Sequence, residues 1–136
     1  MLTSGLRIAG TLGHLGRGWF VLIEGVRQWL VPVQSVSYVE GVGRLATKTA
    51  SGPAGSLRLG SALRGLARDR AEVAVHVAVT GEGGKVLEGV IDGVGQDFFD
   101  VAVTRGEVRR RGAVAMVASV PFASLVAVCS TSSRNY

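Results

Sequence analysis

A pattern of strand, bend, strand and proline turn occurs twice in this chain of 136 residues, once near its start and once near its end. The run Gly10-Thr-Leu-Gly-His-Leu-Gly16-Arg-Gly18-Trp19-Phe20 aligns with Gly89-Val-Ile-Asp-Gly-Val-Gly95-Gln-Asp97-Phe98-Phe99. Leu12 meets Ile91, Leu15 meets Val94 and Trp19 meets Phe98. After a hairpin about ten residues shorter in the first copy, the register resumes with Val31-Pro32-Val33 against Val120-Pro121-Phe122, then Val36 and Val39 against Leu125 and Val128. A repeat constrains a chain more than composition does, because both copies must fold as one supersecondary unit. Two Val- and Gly-rich strands would align by chance, but not with glycines, aromatics and a proline in the same order.

The second copy reads as five strands. In Glu72 to Val79 the residues Val73, Val75, Val77 and Val79 alternate with Ala74, His76 and Ala78, the period-two signature of a half-buried strand. Gly81-Glu82-Gly83-Gly84 marks a hairpin. The returning strand, Lys85 to Val94, carries Gly89 and Gly93, which weaken a flat strand and so predict a sharp bend or bulge that curls the sheet. Asp97 to Val103 forms the third strand, Thr104 to Gly112 a polar hairpin tip, and Ala113 to Val120 the fourth. Pro121 cannot donate to a ladder and ends it. Leu125 to Cys129 is the fifth strand, before the polar tail STSSRNY. Ahead of this run, Ser61 to Arg68 is the one helical segment, with Leu63 and Leu66 on one face and Ser61 placed to cap it.

The expected class is therefore mainly β: two tandem, small, strongly bent antiparallel barrels. Residues 1–44 form the first unit, 45–60 a Gly, Ser and Pro linker, 61–130 the second unit and 131–136 a tail. The second unit has a short N-terminal helix; the first lacks its opening strand, since only Met1 to Gly5 precede the stretch leading to its bent strand. A missing strand leaves unpaired edge groups. Loss of an N-terminal piece is the favoured explanation, against a strand from another chain or edge-on packing of the two units.

Composition narrows the function. Apolar residues at 47% and charged residues at 18% describe a globular chain. Its longest apolar runs fall far short of the roughly 20 residues of a bilayer span. The N-terminus has no secretory h-region, and a single cysteine, Cys129, permits no internal disulfide. No membrane association and a cytoplasmic location are expected. The charge of +5, carried mostly by arginine, suits a polyanion, although a GC-rich genome imposes the same composition.

No active-site constellation is visible. Cys129 lies in a closing strand without a base, and His14 and His76 have no ligand partners at metal spacing. Asp92, Asp97 and Asp100 cluster at a bend and read as a solvated turn. GEGG and GLGHLGRG are set aside as phosphate loops because no helix follows either. Neither enzyme activity, a cofactor nor a metal is expected. The sharpest candidate is the arginine-rich tip, Arg105, Arg109, Arg110 and Arg111, which would clamp phosphates, with Arg64, Arg68 and Arg70 extending the surface. Its alternative is a solubilising loop.

A helix, a bent five-strand run and a Pro-marked turn, with Leu87-x-Gly89-x-Ile91, Gly95, Phe98, Val101 to Val103, Val120-Pro121 and Leu125 to Val128, resemble the Sm-like (Hfq-like) barrel family. The chain is also similar to tandem-unit hypothetical proteins of high-GC actinobacteria. The Sm-like resemblance implies RNA binding on rings of subunits, through the loops after strands two and four. The chain departs from the family there: the acidic residue of the first loop falls on Gly95, the polar Asn near Phe99, and Ser119 to Ser124 carry no basic and aromatic signature. Phe99 would stack on a base or belong to the core. Two readings stand at this point. One is a nucleic-acid-binding module acting on RNA or DNA through the basic hairpin and Phe99. The other is an assembly or adaptor module, self-associating or binding a protein partner through open barrel edges.

Overall fold

The structure, a computed structural model, describes residues 1–41, 57–79, 81, 83–105 and 116–131. Its strands are β1 (Thr11–Leu15), β2 (Trp19–Glu24), β3 (Arg27–Pro32), β4 (Glu72–Val77), β5 (Lys85–Val94), β6 (Phe98–Arg105), β7 (Met116–Pro121) and β8 (Leu125–Ser130). Among the described residues one α-helix, α1 (Leu59–Arg68), precedes β4. The chain is mainly β, as expected, but the strands form one continuous antiparallel sheet in the order β1-β2-β3-β8-β4-β5-β6-β7. The sheet is not closed, and β1 and β7 stand at its two ends. The two units are joined by β3, which pairs with β2 on one edge and with β8 on the other.

Backbone geometry repeats between the units. The Gly16 N–H donates to the Trp19 carbonyl at 2.9 Å, and the Gly95 N–H to the Phe98 carbonyl at 2.7 Å. Val33 N–H donates to Gly18 O, and Phe122 N–H to Asp97 O, each at 2.9 Å. Trp19 lies opposite Pro32 as Phe98 lies opposite Pro121. A bulge falls between Leu12 and His14 in one copy and between Ile91 and Gly93 in the other. The bend needs glycine for close approach: a Cβ on Gly10 would sit 2.6 Å from the Ile23 carbonyl oxygen, and one on Gly89 would overlap that of Ala102.

The opening strand expected to be missing from the first unit is represented by a short stub. Leu2 bridges Val36 as Val77 pairs with Leu125. Thr3 N–H donates to Ser35 O at 2.8 Å, as Ala78 N–H donates to Ser124 O at 2.9 Å. Leu2 N–H returns to Leu6 O at 2.8 Å, so Ser4 and Gly5 make a tight turn where the second unit has its Gly-rich hairpin.

Two clusters of buried side chains lie on opposite faces of the sheet. The larger contains Phe99, Val101, Val103, Ile91, Val75, Leu125 and Val128, joined by Trp19, Val21 and Leu30 of the first unit. Helix α1 covers it with Ala62, Leu63 and Leu66. Fully burying each Val, Leu or Phe contributes about 1.5–3 kcal/mol, which ties α1 and the first unit to one core. The smaller cluster holds Leu2, Trp29, Val31, Val126 and Ala127. Strands β3 and β8 feed both clusters and are buried on both faces. The helix begins two residues earlier than expected, with Arg58, not Ser61, as N-cap. Residues 45–56 of the expected linker and 132–136 of the tail lie outside the described residues.

Candidate nucleic-acid interface

The first unit meets the start of α1 through backbone contacts. Arg17 and Arg58 form a parallel bridge, and Arg17 N–H donates to the Leu57 carbonyl at 2.9 Å. The same carbonyl accepts the Trp19 indole Nε1–H at 2.8 Å. Trp19 is buried, so the loop between β1 and β2 is held against the helix N-terminus by a side chain anchored in the core. This contact brings together residues far apart in sequence.

Beside it opens a groove of about 520 Å³, lined by the first turn of α1 together with Arg17, Arg58, Arg64, Gln96 and Phe122. Gln96 sits in the turn after β5, and Phe122 begins the 3-10 turn after β7. Phe122 packs on the core against Phe99, ring centroids 6.1 Å apart, which fixes one wall. The guanidinium of Arg64 lies over Gly60, where a Cβ would stand 3.6 Å from Nη1.

Among the described residues the lining contains three guanidinium groups and no carboxylate. The N-cap Arg58 makes no side-chain capping hydrogen bond, and α1 has no acidic residue in its first turn, so its amide dipoles add to the positive field. Arg17, Arg58 and Arg64 are exposed, and among the described residues no carboxylate forms an ion pair with them. Such a site suits an anion with several oxygens, since guanidinium forks and helix amides both donate to phosphate.

The residues expected from sequence fare differently. Phe99 is fully buried at 0% exposure, packed in the large cluster, so it presents no ring face to a base and does not belong to an interface. Arg105 ends β6 opposite Glu88, but its side chain and the whole of Arg109, Arg110 and Arg111 lie outside the described residues. Arg64 reaches the groove; Arg68 and Arg70 do not line it. Arg17, Arg58 and Gln96 were not singled out from sequence. One signal was present, because Arg17 belongs to the GLGHLGRG run set aside for want of a following helix. The helix that adjoins it starts much later in the chain.

The remaining candidates pack structurally. His14 stacks on Trp19 and His76 lies tilted against Trp29, ring centroids 5.4 Å apart in each pair. Burial lowers the His76 pKa from its ordinary value, partly countered by Glu88. Burial raises that of the Cys129 thiol, with Arg27 opposing and Glu24 adding, so its thiolate is disfavoured. Asp100 accepts a hydrogen bond from Ser119 Oγ at 2.6 Å. Among the described residues no cluster of three or more His, Cys, Asp or Glu is arranged to hold a metal, and no helix is long and apolar enough to cross a membrane. No family model, curated protein or solved structure matches the chain.

Proposed function

We propose that this is a non-enzymatic, tandem Sm-like barrel module that binds the phosphate backbone of a single-stranded nucleic acid. The observation that supports it is the groove where Arg17, Arg58 and Arg64 surround the uncapped start of α1, with no carboxylate among the described residues that line it. The turns after β5 and β7 supply Gln96 and Phe122 to the same groove, and these are the loops through which the Sm-like resemblance implies RNA contact. Arginines would position phosphates, while Gln96 would offer an amide to a base edge. In this reading the interface lies at the junction of the two units and not at Phe99, while the arginine-rich tip lies outside the described residues.

Fluorescence anisotropy with labelled single-stranded RNA and DNA, read across a salt series, tests this. Affinity should fall steeply with salt, and each of Arg17→Ala, Arg58→Ala and Arg64→Ala should lower the log–log slope by about one. Absence of binding at low salt, or a slope unchanged in all three variants and reduced only by replacing Arg109, Arg110 and Arg111, would remove the groove from the account.

A further inference from the structure

Ser61 lies in the first turn of α1 and lines the groove together with Arg17, Arg58 and Arg64. It is half-buried, and among the described residues no group hydrogen-bonds its hydroxyl. Other serine hydroxyls are committed: Ser119 donates to Asp100 at 2.6 Å, and Ser35 to the carbonyls of Pro32 and Val126 at 2.9 and 2.8 Å. The groove therefore sets one uncommitted oxygen beside three guanidinium groups.

The sequence presents that oxygen in a form that a kinase can read. Arg58 stands three residues before it, in the run Arg58-Leu59-Gly60-Ser61. Serine/threonine kinases that select basic substrates do so through acidic subsites, and an arginine at this spacing is a group that such a subsite pairs with. Arg58 is exposed and its backbone is extended, with φ −85° and ψ 162°. The turn that follows must unwind to enter a kinase cleft. It contains Gly60, a poor helix former, and Arg58 gives it no side-chain cap, so it is the turn of α1 that opens most readily.

We infer that Ser61 is a phosphorylation site whose phosphate shuts the groove to other anions; the shutting, though not the site, rests on the nucleic-acid reading above. In the transfer, Ser61 Oγ attacks the γ-phosphorus of a magnesium-bound nucleoside triphosphate held by the kinase. An Oγ–P bond forms and the bond from that phosphorus to the β,γ-bridging oxygen breaks. The nucleoside diphosphate leaves with the electron pair, and the hydroxyl proton passes to the kinase's catalytic aspartate. Phosphoserine carries about −1.5 to −2 charges at neutral pH and three acceptor oxygens, so it offsets at least half the charge of three guanidinium groups. Being tethered, it competes with a diffusing phosphate at an effective concentration of order millimolar. It also fastens Arg17 of the first unit to α1 through charge-assisted hydrogen bonds, which ties the two units more firmly.

The full chain, treated with a purified kinase of basic specificity and magnesium ATP, is read by mass spectrometry of the intact protein and its fragments. An arginine three residues before a serine or threonine occurs once more, at Arg44 and Thr47, outside the described residues. Thr47→Ala therefore serves as the background; it should gain one phosphate, on Ser61, and adding Ser61→Ala should abolish the gain. The melting temperature should rise by about 3 °C on phosphorylation, and by clearly less when Arg17→Ala or Arg64→Ala is present. Affinity for single-stranded RNA should fall roughly tenfold or more. No phosphate on Ser61, or a phosphate without a rise in melting temperature, overturns the site. A rise in melting temperature with RNA affinity unchanged overturns the shutting of the groove. If the unmodified chain binds no RNA, the nucleic-acid reading fails, and the melting shift still decides for or against a phosphate seated among the arginines.

Discussion

Trp19 donates its indole N–H to the carbonyl of Leu57 at 2.8 Å, tying the first unit to the residue that leads into α1. The ring is 2% exposed and packs with Ala62, Leu63 and Leu66 in one cluster. Trp19→Phe keeps most of the bulk and loses the hydrogen bond, which costs about 0.5–1.5 kcal/mol. Trp19→Ala should cost about 3–5 kcal/mol by urea denaturation. Both variants should also weaken binding in the groove, since Arg17 and Arg58 are aligned through the same Leu57 contact.

The bend glycines lead to an asymmetric expectation. A Cβ on Gly16 would overlap the Trp19 indole, and one on Gly95 would overlap the Phe98 ring. Trp19 is locked in the core, whereas Phe98 is 41% exposed and free to rotate away. Gly16→Ala should therefore destabilise by about 1–3 kcal/mol, the range for overpacking, and Gly95→Ala by clearly less. Equal losses in chemical denaturation would contradict the packing described.

His76 gives a pH dependence. Its folded pKa is lowered from 6.5, chiefly by burial, so the unfolded chain binds the proton more readily. Stability should be unaffected by this group above its ordinary pKa and should fall as pH drops below about 6.5, until the lowered folded pKa is passed. Melting temperatures of the wild type and His76→Gln, compared between neutral and mildly acid pH, isolate the effect. The variant should lose less on acidification.

Sequence patterning made the repeat legible because its markers answer to backbone necessity. Gly10 and Gly89 lie where another strand's carbonyl leaves no room for a side chain, and Pro32 and Pro121 each close a strand before a 3-10 turn. Strand β4 was equally plain, since period-two alternation depends only on having one buried face. Pairing partners are another matter: nothing in a strand's own period names its neighbour, and so one shared sheet was read as two barrels. A signal did exist in Trp29-Leu30-Val31-Pro32, an unbroken apolar run of the kind found in strands buried on both faces. The groove was harder to foresee because Arg17 and Arg58 meet only through that shared sheet, while Arg64 could be noticed from its place on the helix. Phe99 was misread as a candidate interface residue because an aromatic at a bend looks alike whether it turns inward or outward.

Strands β3 and β8 are buried on both faces, and they lie far apart in the sequence. During synthesis Leu30 emerges long before Val128, the residue that covers its edge. Contacts this distant in sequence slow folding, because the intervening chain must be ordered before they repay its entropy. Until Leu125 to Ser130 emerge the apolar edge of β3 stays bare, so a product truncated before Leu125 would be an aggregation-prone form of this protein.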